Sequence, residues 1–382
     1  MKPRWAVLVY MGADDPDDKN LVVSAFKDIA EIRESGSSDA VRIGIQLDLQ
    51  LFPPVRFLVN SDGTLTTAKR LRESSAGQPG TLASFLTWAQ NTFDAERYLL
   101  ILWGHGVGVG FQLEEPASLA DVVFDSDDGL AVRELAGVLR RFKERHGRPL
   151  DLLGFDACYM SSIEIGYELR GLVKIVVGSQ AAIPLAGWPY TPILRRLKAN
   201  PRQSERALGR AIATEVVNSF ATKDNVTQTA LAPDATEEVR EAFRKLVARF
   251  RALSSGGTEL LAIRRALRTA SYYEARQLID LADLCQRVSK NTRDPLTRKA
   301  ADAVVACLKH NSPQVIISHH RRGSQVKGLK GVSIYFRNAK SGRKGDEDLG
   351  VKLGPYRRLE FVRETGWQRF VDTLPGAPKA TV

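Results

Sequence analysis

Two runs of large apolar residues, each ended by a polar group, constrain this chain more than any other feature. The first is Tyr98-Leu99-Leu100-Ile101-Leu102-Trp103, followed by Gly104-His105-Gly106; the second is Leu150-Asp151-Leu152-Leu153-Gly154-Phe155, followed by Asp156-Ala157-Cys158. Near-continuous apolar runs of this length are the pattern of strands covered on both faces, as in a parallel sheet. Open α/β sheets collect their chemistry just past the carboxyl ends of such strands. Here those ends carry one imidazole and one thiol, 53 residues apart. That interval holds a loop, a crossover helix and the next parallel strand. Neighbouring parallel strands would bring His105 and Cys158 to one edge, the layout of a cysteine–histidine dyad.

The rest of the chain alternates in the same way. A strand over Trp5–Met11 leads through the acidic loop Asp14 to Asp18 into a helix ending near Glu34, then a strand over Val41–Leu47. Val55–Val59 and Leu65–Ala68 flank Asn60-Ser61-Asp62-Gly63, a hairpin signal. A helix over Leu82–Thr92 precedes the histidine strand, and an irregular segment, Val107 to Asp128, follows it. Leu135, Val138, Leu139 and Phe142 have helical spacing within Ala131–His146. After Cys158 come a helix to Leu169 and a strand over Leu172–Val177. The alternation predicts an α/β fold, a three-layer α-β-α sandwich about a mostly parallel sheet. From Leu231 the texture changes to long Arg/Glu/Leu helices, broken at Ser254-Ser255-Gly256-Gly257, with late strands over Val315–Ser318 and Gly331–Phe336. The expected organisation is a core over residues 1–230 and a helical C-terminal subdomain over 231–382 whose strands extend the sheet.

Composition narrows the setting. Three cysteines, Cys158, Cys285 and Cys307, are too few for a disulfide framework and suit a reducing compartment. Lys2 and Arg4 precede the first apolar run, but the run meets Asp14 and Asp15 where a leader would place small residues. The reading is an internal strand and a cytoplasmic protein. No apolar run approaches a membrane span. The net charge of +11 invites phosphate backbones, yet the basic residues lie along amphipathic helices or in Gly/Ser-rich loops without interleaved aromatics, and no nucleic-acid module is present. His146, His310, His319 and His320 have no cysteine or carboxylate at ligand spacing, so no metal site is expected.

Trp103-Gly104-His105-Gly106 with Asp156-Ala157-Cys158-Tyr159-Met160 resembles the clostripain family of cysteine endopeptidases, of the same clan as caspases, gingipains and legumains. Leu8 to Asp14, Ile175 to Gln180, Pro184 with Gly187-Trp188-Pro189-Tyr190, Ile279 to Leu284, Tyr335, Gly366 and Trp367 fit in the same order, so the resemblance spans nearly the whole chain. It implies a caspase-like sheet, with Cys158 as nucleophile and His105 as general acid and base. The amides of Gly106 and Cys158 would form the oxyanion hole, glycine because a residue without Cβ admits substrate to its amide. It further implies cleavage after Arg or Lys, with Asp156 as an acid of the P1 pocket and Ser179 and Trp188 on its wall. The family often has a second acid just before the Gly-Trp pair, where this chain has Ala186. A smaller or less polar P1 residue is therefore the alternative, and a catalytically silent binding or regulatory relative is another.

The expected partner is a protein or peptide substrate, taken by a monomer without nucleic acid or membrane. A thiol–imidazole mechanism requires no cofactor. Calcium dependence occurs in some relatives, and Asp121, Asp125, Asp127 and Asp128 offer hard oxygen ligands, though not at EF-hand spacing. Relatives made as zymogens are cut between the two strands. Val107 to Asp128 contains no Lys or Arg, so self-cleavage after a basic residue would have to use Arg133, Arg140, Arg141 or Lys143.

Overall fold

The computed structural model describes residues 2–13, 19–49, 52–72, 75–106, 110–112, 129–253, 257–309, 314–337, 349, 351 and 353–374. Strands β1 (Trp5–Ala13), β2 (Val41–Leu49), β3 (Phe52–Val59), β4 (Leu65–Arg70) and β5 (Arg97–Trp103) fill the first hundred residues. Short strands β6 (His105–Gly106), β7 (Gly110–Gln112) and β8 (Gly129–Ala131) follow, then β9 (Leu150–Asp156), β10 (Val173–Gly178), β11 (Val226–Leu231), β12 (Leu278–Asp280), β13 (Ile316–Arg322) and β14 (Ser333–Tyr335). Nine of these make one sheet in the order β13-β11-β10-β9-β5-β1-β2-β3-β4. Its centre, β2-β1-β5-β9-β10, is parallel throughout, and antiparallel strands finish both edges. Every residue of β1 and β9 is buried, as two-sided coverage demands.

Helices α1 (Lys19–Ser35), α2 (Pro79–Phe93), α3 (Val132–His146), α4 (Ile163–Glu168), α5 (Tyr190–Ala199) and α6 (Glu205–Ser219) supply that coverage. α1, α5 and α6 pack together on one face, while α2, α3 and α4 pack on the other. α7 (Thr236–Arg251), α8 (Thr258–Thr269), α9 (Leu281–Asn291) and α10 (Pro295–Lys309) continue the second layer. One apolar core runs unbroken from Trp5 to Val371. Among the described residues, no helix is long and apolar enough to cross a membrane.

The structure departs from the sequence reading in three places. Val226–Leu231, just before the expected change of texture, is a strand of the main sheet lying between β10 and β13. Of the two late segments, only Ile316–Arg322 joins the main sheet; Ser333–Tyr335 pairs with Leu278–Asp280 in a separate ladder. The segment after His105 is not wholly irregular, because β6, β7 and β8 form a small antiparallel sheet.

Glu164 fastens the C-terminal ladder to the core. Its Oε1 accepts the Tyr335 N–H and the Tyr356 O–H, both at 2.9 Å, and the side chain is wholly buried. Burial pushes its carboxyl up to about 7, against the pull of those hydrogen bonds. Between the ordinary glutamate value and about 7 the folded chain holds a proton that the unfolded chain releases, so stability falls as pH rises through that window. Glu164→Gln keeps the acceptor without the titration. Urea unfolding of the two proteins at pH 5 and pH 7.5 should show the wild type losing up to about 3 kcal/mol more than the variant on going to the higher pH.

Candidate active site

The two chemical groups sit where the register of β5 and β9 puts them. Trp103 stands opposite Asp156, and the Gly104 N–H donates to the Asp156 carbonyl at 3.3 Å. His105 and Cys158 each lie two residues beyond that pair, at the carboxyl edge of the sheet. His105 is half-buried and held in β6, opposite Gln112 of β7.

Cys158 leaves its strand through a sharp turn. Tyr159, the next residue, has φ of +60°, a left-handed conformation that costs a side-chain-bearing residue about 1–3 kcal/mol. The surroundings hold it there. Tyr159 N–H donates to the Ala181 carbonyl at 3.1 Å, Ser161 N–H donates to the Ser179 carbonyl at 2.8 Å, and the Tyr159 ring is buried. Residues 179–183 therefore run beside the loop that carries Cys158. At their end the Ile183 N–H donates to the Cys158 Sγ at 3.2 Å, and the thiol in turn faces the Ile183 carbonyl at 3.9 Å. The half-buried thiol faces backbone on that side.

Gly106 closes the other side. A Cβ at this position would stand 2.1 Å from the Cys158 carbonyl oxygen and 2.8 Å from Met160 Cγ. The two loops touch here through backbone, which is a packing reason for glycine beside the access argument made from the sequence.

Two residues before Cys158 stands one of a pair of acids. Asp156 is almost wholly buried, and its Oδ2 accepts the Trp188 N–H at 3.1 Å and the Tyr190 O–H at 3.0 Å. Asp28 of α1 approaches from above the same face, its Oδ2 accepting the Trp103 indole N–H at 2.7 Å. Burial drives both carboxyls above the usual range. Asp156's charge pushes Asp28 further, while the Trp188 and Tyr190 donors partly restrain Asp156.

The other expected pocket residues are differently placed. Ser179 is wholly buried, its hydroxyl engaged with Thr227 Oγ1 and the Ala181 N–H. Trp188 is also wholly buried, its ring against the Cα of Gly154 on β9, so it forms a floor under Asp156. Ala186 is exposed. Asp121, Asp125, Asp127 and Asp128 lie outside the described residues. Arg140, Arg141 and Lys143 are inside α3, and Arg133, in its first turn, pairs with Glu168 at 3.7 Å.

Asp28 and Ile183 were not singled out from the sequence. Ile183 acts through its amide, so no side-chain pattern marks it. Asp28 did leave a signal: it shares the buried stripe of α1 with Leu21, Ala25, Ile29 and Ile32, a carboxylate where apolar spacing calls for a hydrophobe.

The clostripain family model, peptidase C11, matches residues 9–373. The chain belongs to that family. Clostripain of Hathewaya histolytica is 28% identical over 146 residues, 35% of this chain, and the match spans only 26% of that protein. Two solved structures share the fold over 96% of this chain and 99% of their own. One is an inactive zymogen C11 protease from Parabacteroides distasonis, with 20% identity and a TM-score of 0.70. The other is a secreted C11 cysteine protease from Bacteroides thetaiotaomicron in complex with an irreversible peptide inhibitor, with 17% identity and a TM-score of 0.67. This family's mostly parallel α/β sheet, with helices on both faces and a helical C-terminal region, is the architecture found here.

The contact at Gly106 gives a direct check. Gly106→Ala should lower any peptide turnover that depends on Cys158 about 100-fold, since displacements near 1 Å at a reacting group cost that much. Gly137→Ala, whose new methyl meets open space on α3, is the matched control.

Proposed function

We propose that the protein is a cysteine endopeptidase in which Cys158 and His105 form the catalytic pair. The observation carrying this reading is the shared register: one parallel ladder delivers thiol and imidazole to the same edge, two residues past the Trp103–Asp156 pair. Family membership supports it, as does the donor that Ile183 offers to the sulfur.

The chemistry follows in two halves. The Cys158 thiolate attacks the scissile carbonyl carbon, and the carbonyl oxygen takes the negative charge in the tetrahedral intermediate. The N–H groups of Gly106 and Cys158 are the donors assigned to that oxyanion. His105, as imidazolium, protonates the leaving amine, and the C–N bond breaks to leave a thioester. Neutral His105 then takes a proton from water, the hydroxide attacks the thioester, and the thiolate departs as the acid product is released.

For specificity, the reading is cleavage after a basic residue, with Asp156 on the floor of the P1 pocket. A buried carboxylate without an ion pair is costly, and a substrate cation relieves it. Cleavage after a smaller or less polar residue is the second reading, favoured by the neutral side chain at Ala186.

A fluorogenic library scanning every P1 residue, run on wild type and Cys158→Ala, tests both parts. Turnover that vanishes in the variant and is strongest after Arg or Lys is the expected result. Turnover equal in the two proteins would overturn the assignment of Cys158. A labelling experiment adds a measurement independent of substrate. Cys285 and Cys307 are buried, and burial pushes both thiols up. Iodoacetamide at neutral pH should therefore add one adduct by intact mass, and none to Cys158→Ala.

A further inference from the structure

Asp28 and Asp156 form an arrangement that the fold alone does not require. They reach the carboxyl edge from different elements, α1 and β9, and converge on Gly187. A Cβ at Gly187 would lie 3.2 Å from the Asp28 Oδ2, 3.1 Å from the Asp156 Oδ2 and 3.5 Å from the Asp156 Oδ1. The two acids are 3% and 5% exposed. Each has its Oδ2 satisfied, Asp28 by Trp103 and Asp156 by Trp188 and Tyr190. Among the described residues, the Oδ1 atom of each accepts no hydrogen bond, and neither acid has an ion-pair partner.

Two buried carboxyls converging at Gly187 without a cation oppose folding unless something neutralises them. A structural role would be served by a buried arginine or lysine beside the pair, and the described residues provide none. The groups around the pair add no compensation. Glu31, one turn along α1, brings further negative charge, its own Oε2 capped by the Thr191 N–H at 3.3 Å. Tyr190 is a donor only, and Lys27 acts on Asp28 weakly. A ligand cation reaching the pair would find two acceptors with free lone pairs, already fixed by tryptophan and tyrosine donors. A guanidinium presents donors in a planar fork and can engage two carboxylates together, whereas an ammonium is a point charge.

We infer that Asp28 is a specificity-determining residue of the P1 pocket: from α1 it supplies the second carboxylate, and with Asp156 it receives the guanidinium of an arginine side chain. The inference rests on the peptidase reading above. Ala186 then needs no acid, because the second charge arrives from a different part of the chain. Binding also has a proton consequence. The empty pair, raised by burial and mutual repulsion, retains a proton near neutral pH, and the incoming cation expels it to solvent.

The test compares peptides identical except for Arg, Lys or citrulline at P1, citrulline being a neutral isostere of arginine. In Asp28→Asn the Arg-to-citrulline ratio of kcat/KM should fall at least about tenfold, the loss of one charged hydrogen-bond partner, and chiefly through KM for the Arg peptide. Asp28→Glu should recover part of that ratio. An unchanged ratio in Asp28→Asn, with Cys158 labelling as in wild type to certify the fold, overturns the inference and leaves the peptidase reading intact. A second measurement needs no turnover: calorimetric titration of Cys158→Ala with agmatine, an arginine-like cation. Binding should weaken at least about tenfold when Asp28→Asn is added. Its heat should vary with the ionisation heat of the buffer only while Asp28 is present. Agmatine binding indifferent to Asp28 overturns the inference. Asp28-dependent binding in a chain without Cys158-dependent turnover would uphold the pocket and reject the chemistry.

Discussion

The hydrogen-bonded ladder between β5 and β9 sets the geometry on which everything at the candidate site depends. The register of this ladder matters because a slip of one residue sends every side chain of a strand to the opposite face of the sheet. With Leu99 opposite Leu152 and Trp103 opposite Asp156, side chains two residues apart stay on the same face. Trp103 and Asp156 thus face α1 together, which is how Asp28 meets one by hydrogen bond and the other across Gly187. The same ladder ends both strands at one level, so His105 and Cys158 share an edge.

How much of this the amino-acid sequence made legible depended on whether burial and chemistry coincided. β1, β5 and β9 are apolar and buried on both faces, and their positions, the hairpin at Asp62-Gly63 and the two residues past each strand could be read directly. β11 could not. Its sequence, Val-Thr-Gln-Thr-Ala-Leu, is polar in the middle, although every residue is buried. Thr227 serves Ser179 and two backbone N–H groups, and Thr229 bonds His319. Those hydroxyls are satisfied by residues far away in sequence, which no local pattern reveals. Asp28 was obscure for a related reason: a lone acid on a helix stripe becomes meaningful only once the sheet brings Asp156 to it.

The C-terminal region is more than cladding. Gln180, two residues past β10, donates to Asp280 and to Ser333 at 3.1 Å each and accepts the Gly331 N–H. Ser161 N–H meets the Ser179 carbonyl, while the Ser161 carbonyl accepts the Ser333 N–H at 2.9 Å. Buried polar networks of this kind are worthwhile only when every member is satisfied. This one ties three distant stretches of chain to the loop that carries Cys158.

That wiring has a bearing on when, during synthesis, the loop can take its shape. Tyr159 is held left-handed by contacts with residues 179–183, and that segment is in turn held by residues 280, 331 and 333. A ribosome-bound chain that has just released Tyr159 lacks all of those anchors, and the strained turn has nothing to oppose its relaxation. The thiol reaches its final setting only after more than 170 further residues have emerged and folded back. The order of the chain itself thus delays the final setting of Cys158 until residues 331 and 333 are in place.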